Sequence, residues 1–191
     1  MSAQPAPRSL PVSARPEDER TALERLVLGA LDTTGLWLEE VRVTGSGPSQ
    51  VLTVIVDLRE GTEGVDMDTL QTATEAVSHA LDAIDDLPEL GRDAYQLEVS
   101  SPGVTRPLTS PHHWARNVGR VVEVTIGDDD EAVWGRIIAA DDEGIDFAEI
   151  RPGAKKGMPA KESAPKRHSY AILSSAVVQV ELTHGRSITG A

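Results

Sequence analysis

The sequence predicts an α+β fold in two domains, and three observations carry that expectation. Apolar residues between 16 and 108 recur at helical spacing, then on alternating positions in two runs, then at helical spacing again before one more strand. Past residue 108 the helical spacing gives way to short strand-like runs at close intervals, the grammar of a small β-barrel. Aromatic residues make up only 3% of the chain and hydrophobic residues 39%, so the core has to be built from Val, Ile, Leu and Ala.

Taken in order, residues 1–15 are rich in Pro, Ser and Ala and read as a disordered tail. Pro16 with Glu17, Asp18 and Glu19 reads as a helix start, negative charge meeting the positive end of the helix dipole. Leu23, Leu26, Val27, Ala30 and Leu31 then form one apolar stripe, and Gly35 ends the helix. Leu36, Leu38, Val41 and Val43 mark a strand, and Leu52, Val54, Val56 and Leu58 mark its partner. Gly45, Ser46, Gly47 and Pro48 supply the turn of an antiparallel hairpin. Asp66 is placed to cap a second helix with the stripe Leu70, Ala73, Val77, Ala80, Leu81 and Ile84, which Pro88 and Gly91 terminate. A third strand covers residues 95–100, completing two helices on one face of a three-stranded sheet over 16–108.

In the remaining stretch, 109–191, Ser110 and Pro111 open one helical turn through Trp114. Strands follow at 120–126, 133–140 and 144–150, joined by the acidic turns at 128–130 and 141–142, and a last strand at 177–182 closes the barrel. Residues 151–168 hold six Lys or Arg against one Glu and few apolar side chains, and read as a long flexible loop. Trp114 and Trp134 are expected as core or interdomain packing residues there, and Trp37 likewise in the first domain.

Charge narrows the function. The net charge of −13 argues against a chain whose main task is coating nucleic acid. Its distribution is uneven: residues 1–90 carry 6 basic and 17 acidic side chains, 91–150 carry 5 and 12, and 151–191 carry 7 and 2. An acidic body followed by a basic stretch implies separate faces for a basic protein partner and for RNA. Cysteine is absent, which excludes disulfides, thiolate metal sites and a cysteine nucleophile. No long apolar run suggests a leader or a membrane span, so a cytoplasmic protein is expected.

The most specific stretch is Tyr95-Gln-Leu-Glu-Val-Ser-Ser-Pro-Gly-Val-Thr-Arg-Pro-Leu108, which closely resembles the signature of the RimP ribosome maturation family. The resemblance covers nearly the whole chain after residue 15. It implies an N-terminal α+β domain, a C-terminal barrel similar to SH3 or Sm folds, and a non-enzymatic role in maturing the small (30S) ribosomal subunit. The partners it implies are immature small subunits, ribosomal protein number twelve of that subunit and nearby ribosomal RNA. No cofactor, metal or membrane partner is expected, and a monomer is the default. Two departures stand out: Val104 and Thr105 occupy positions where the family usually has Leu-Asp, and the basic 151–168 connection is longer than usual.

Within the signature, Pro102 fixes one backbone angle and Gly103 permits positive φ, so a sharp turn is expected. Ser100, Ser101, Pro102, Gly103, Arg106 and Pro107 then form a candidate docking surface for an anion or a protein, or set the angle between domains; the two roles are compatible. In the basic loop Arg151, Lys155, Lys156, Lys161, Lys166 and Arg167 are candidate phosphate contacts, against a loop that only aids solubility. About four such contacts would give log affinity a slope near −3 against log salt. A serine hydrolase is disfavoured because no Gly-x-Ser-x-Gly elbow is present, and His112 and His113 are expected at a surface or between domains. The acidic turns and Asp82, Asp85, Asp86 and Glu89 are expected to face solvent or a basic partner. The rival reading is an Sm-like regulatory RNA-binding protein, which predicts tight binding to free single-stranded RNA.

Overall fold

The computed structural model describes residues 11–84, 87–90, 94–103, 106–127, 131–151 and 159–179. The chain is α+β and divides into two compact units, Met1–Pro102 and Gly103–Ala191, a boundary slightly earlier than the sequence suggests.

The first unit starts sooner than expected. Residues 11–15 are not a tail: Val12 is buried in a short 3-10 turn, Val12–Ala14, and the Ser13 hydroxyl accepts a hydrogen bond from the Leu38 amide at 2.9 Å. Arg20 holds the segment by donating to the carbonyls of Val12, Ser13 and Arg15. The acidic run Glu17–Glu19 forms a separate 3-10 turn, and helix α1 (Ala22–Ala30) begins only after it. Thr21 decides that start. Its hydroxyl accepts from the Glu24 amide while the Glu24 carboxylate accepts from the Thr21 amide, a reciprocal capping box that satisfies two helix-end donors. Arg15 also pairs with Glu24.

Strand β1 (Leu36–Thr44) pairs antiparallel with β2 (Gln50–Leu58), and its register shifts between Leu38 and Glu40. That bulge explains the change of parity in the sequence from Leu36 and Leu38 to Val41 and Val43: one extra residue moves the apolar side chains back to the same face. Gly45 makes the turn possible, with φ +76° and no room for a side chain, since a Cβ would lie 2.3 Å from the Ser49 carbonyl oxygen. Helix α2 (Met67–Asp82) is capped by Asp66, whose carboxylate accepts from the Thr69 amide at 2.8 Å. It returns the chain to β3 (Tyr95–Ser100), parallel to β2, in a sheet of order β1-β2-β3.

The first core joins Leu23, Val27 and Leu31 of α1 and its end to Ala73, Val77 and Leu81 of α2 and to Leu36, Leu38, Leu52, Val54 and Val56 of the sheet. Burial of each larger side chain contributes about 1.5–3 kcal/mol. Two expectations fail here. Ile84 lies past the end of α2 and is 40% exposed, and Glu89 is turned to the α1 terminus, where it accepts from the Leu23 amide; Trp37 is half-buried. Glu89 serves the donors left open at a helix start rather than facing solvent.

In the second unit, Ser110 caps the short helix α3 (Pro111–Ala115) with Pro111 in its first turn. Strands β4 (Val121–Ile126), β5 (Ala132–Ala140) and β6 (Gly144–Arg151) form consecutive antiparallel pairs. The segment expected to be one flexible loop contains two further strands, β7 (Lys161–Glu162) and β8 (Lys166–Ser169), both paired with β6. Backbone pairing needs no apolar side chains, which is why a polar sequence hid them. The last strand, β9 (Leu173–Val178), lies earlier than the expected 177–182 and pairs with β4. The sheet path is β7-β6-β5-β4-β9 with β8 beside β6, and among the described residues no pairing closes it into a barrel. Its core gathers Leu108, Trp114, Val122, Val124, Ile137, Ile145, Phe147, Leu173 and Ala176. Trp114 is in that core as expected, whereas Trp134 is half-buried and outside it. Trp134 stands opposite Glu123 in the sheet, on alternate positions from the core residues Val122 and Val124.

Candidate functional site

The candidate docking run begins where β3 stops. Gln96, Glu98 and Ser100 are exposed along β3 and alternate with the half-buried Tyr95, Leu97 and Val99, so the Ser100 side chain leaves the sheet away from the core. Ser101 is also exposed and Pro102 half-buried. In the second unit the chain turns through a hydrogen bond from the Arg106 amide to the Gly103 carbonyl at 3.0 Å. Gly103 does not take the positive φ expected of it, and a Cβ there would meet nothing within 4 Å. The turn therefore rests on this backbone hydrogen bond and not on glycine's left-handed conformation. Pro107 bridges to Val177, and the Leu108 amide donates to the Ala176 carbonyl at 2.9 Å, which fixes the end of the signature to β9. Pro107 is exposed while Leu108 enters the core. Val104 and Thr105 lie outside the described residues.

The basic candidates separate into different environments. Lys155 and Lys156 lie outside the described residues. Arg151 ends β6 and donates twice to Glu149, at 2.7 and 3.1 Å. Arg167 donates to Asp141 at 2.5 Å and lies 3.9 Å from Asp146. Lys161 and Lys166 are exposed on β7 and β8. Arg136, which no sequence motif singles out, bonds Glu162 at 2.9 Å and the Gly119 carbonyl at 2.7 Å, tying β7 to β5.

Asp141 is more than a solvated turn residue. Its carboxylate accepts from the Glu143 and Gly144 amides as well as from Arg167, and these bonds hold its carboxyl below the usual carboxylate range, the Arg167 bond first. The Asp141-x-x-Gly144 spacing was the available signal, since Asp side chains commonly accept from amides two and three residues on. Asp128, Asp129 and Asp130 of the other acidic turn, like Asp85 and Asp86, fall outside the described residues.

The histidines split as well. His113 is buried, its Nδ1 accepting from the Thr109 amide at 2.9 Å, so its role is to fasten α3 and not to sit at a surface. Its ring meets that of His112 edge-on at 6.2 Å.

Tyr170 packs its ring 6.2 Å from Trp114 and donates its hydroxyl to the Asp141 carbonyl at 2.6 Å. Burial, reinforced by the Asp141 charge, pushes its phenol up to about 12, and burial with Asp82 also raises Tyr95, the only other tyrosine. Both folded values lie above the ordinary 10.0, so each contribution to stability is complete below pH 10 and is lost as pH rises through the folded value, about 12 for Tyr170. Absorbance at 295 nm should accordingly show less tyrosinate at pH 10 in the native chain than the roughly half-ionisation expected in urea. A native midpoint near that of the urea-unfolded chain would refute this reading.

Among the described residues, no helix is long and apolar enough to cross a membrane.

Comparison with known proteins bears on both units. The family model described as the RimP N-terminal domain matches residues 26–105. The ribosome maturation factor RimP of Parafrankia sp. (strain EAN1pec) is 38% identical over 202 residues, covering 94% of this chain and 63% of that protein. That of Frankia casuarinae is 41% identical over 166 residues, covering 86% and 60% respectively. That of Kineococcus radiotolerans is 42% identical over 151 residues, covering 76% and 70%. The chain thus spans only 63% and 60% of the length of the first two relatives.

Proposed function

This chain belongs to the RimP family, and on that premise we propose that it is a cytoplasmic ribosome maturation factor that binds the immature small subunit and performs no chemistry of its own. The observation that carries the proposal is the signature at the end of β3. Ser100 and Ser101 stand exposed there within the family's N-terminal match, which runs to residue 105. The factor acts by binding an immature conformation more tightly than the mature one, so completion of the subunit releases it.

In this reading the first unit is a two-helix, three-strand sandwich, and the strands from β4 to β9 form an SH3- or Sm-like barrel. The bulges between Glu123 and Thr125 and between Ile137 and Ala139 support the second assignment, since bulges bend a sheet toward closure. The excess of acidic over basic side chains in residues 1–90, 17 against 6, suits a strongly basic partner such as ribosomal protein number twelve of the small subunit, with ribosomal RNA beside it.

Sedimentation of the tagged chain in cell extract tests the proposal. It should travel with free or precursor small subunits and be absent from assembled ribosomes. Retention at the top of the gradient even at low salt, or equal distribution over mature ribosomes, would overturn it.

A further inference from the structure

Charge alone does not distinguish the six basic candidates of residues 151–168, but the pairing along β6 sorts the four described ones by face. Strands β7 and β8 lie along the same edge of β6 as one interrupted strand: Glu162 stands opposite Ile150, and Lys166 opposite Phe147. Between those pairs β6 advances three residues, 150 to 147, while the opposing segment advances four, 162 to 166. The additional residue acts as a bulge and exchanges the faces of everything after it. Without it, Lys161 and Lys166 would point to opposite sides of the sheet.

With it, Lys161 stands beside Arg151 and Lys166 beside Phe147, so both lie on the side of the sheet where Ile145 and Phe147 pack into the core, and from the edge strands β7 and β8 both reach solvent there. Arg167 is registered with Asp146 and points the other way, where Asp141 and Asp146 engage it. Glu162, opposite Ile150, also leaves the lysine face and bonds Arg136. Along β6, β7 and β8, Glu149 is then the one described carboxylate on the lysine face, already engaged by Arg151. Lys166 and His168 add to the positive field on that carboxyl, which Arg151 first holds below its usual range. Among the described residues neither Lys161 nor Lys166 makes an ion pair, and both are exposed.

We infer that Lys161 and Lys166, flanked by Arg151, form a phosphate-contact face for RNA, whereas Arg167 is a pin that fastens β8 to the β5–β6 turn. The inference rests on the proposed function for its choice of partner, since a maturing subunit presents RNA phosphate. The chemistry agrees. Ammonium groups act as point charges that meet phosphate without fixed geometry, and the face offers no exposed aromatic ring for a base to stack on, because Phe147 is buried. The face reads backbone and not sequence.

The test measures binding of the full-length chain to a fluorescein-labelled single-stranded oligouridylate over a salt series. Lys161→Gln with Lys166→Gln should lower the slope of log affinity against log salt by about 1.4 in magnitude, two phosphate contacts at about 0.7 each. Lys161→Arg with Lys166→Arg should retain the wild-type slope. Arg167→Gln should also leave the slope unchanged, while speeding tryptic cleavage within β8. A wild-type slope in the double Gln variant, no binding by the wild-type chain at low salt, or an equal loss in Arg167→Gln would each overturn the inference. The same variants are run in the extract gradient. If the wild-type chain does not travel with small subunits, it is the proposed function that fails. If it does and the salt slopes do not sort by face, only the phosphate face fails.

Discussion

Replacing Phe147 with Ala is expected to lower the stability of the second unit by about 3–5 kcal/mol, the range for emptying a buried aromatic position. Phe147 is 1% exposed and is the largest of the fully buried side chains. Its ring occupies space that a neighbouring glycine leaves open: a Cβ on Gly135 would come within 2.2 Å of the ring and 2.5 Å of the Ala148 carbonyl oxygen. Gly135 and Phe147 therefore form one packing decision made by two adjacent strands. Gly135→Ala alone should also destabilise, and the double variant Gly135→Ala, Phe147→Ala should cost less than the sum, because the ring clash is gone while the carbonyl clash persists. Urea unfolding followed by tryptophan fluorescence reports the change, with Trp114 inside the same core. A Phe147→Ala midpoint equal to wild type would show that the ring is not packed as described.

Gly144→Ala should be nearly as damaging, at the upper end of the roughly 1–3 kcal/mol typical of overpacking. A Cβ there would lie 2.1 Å from the His168 carbonyl oxygen, 3.0 Å from its carbon and 3.1 Å from the Ser169 Cα. All three are backbone atoms of β8, so no rotamer change relieves the contact and β8 has to move off β6. Trypsin should then cut after Lys166 and Arg167 sooner than in the wild-type chain. Gly29→Ala is the contrasting control. Gly29 lies in α1, a Cβ added to it would meet nothing within 4 Å, and Ala there should stabilise by about 0.5–1 kcal/mol. Unchanged proteolysis of β8 in Gly144→Ala would mean that the close approach at Gly144 is absent.

The basic stretch shows how a correct observation on charge can still misplace residues. Six cations in 151–168 are plain in the sequence, but a run of Lys, Arg, Gly and Pro has neither helical nor alternating apolar spacing, so periodicity leaves it irregular. Strands β7 and β8 form because β6 offers an open edge of amides and carbonyls, and that edge belongs to a separate residue range. The same blindness applies to Arg167, whose partner Asp141 is 26 residues earlier. It applies also to Val12 and Ser13, which look like tail until β1 is present to receive them.

Legible in the residues alone were the α+β class, the two helices and three strands of the first unit, the caps Asp66 and Ser110, and the family through its 95–108 signature. These features depend on contacts within a few residues or on regular spacing, and such information is local. Contacts across the fold were needed to establish which cations are pinned and which are exposed, that Gly103 needs no left-handed backbone, and that β9 begins at Leu173. Each of those outcomes is set by register between segments distant in sequence, where one additional residue moves a side chain to the opposite face of a sheet.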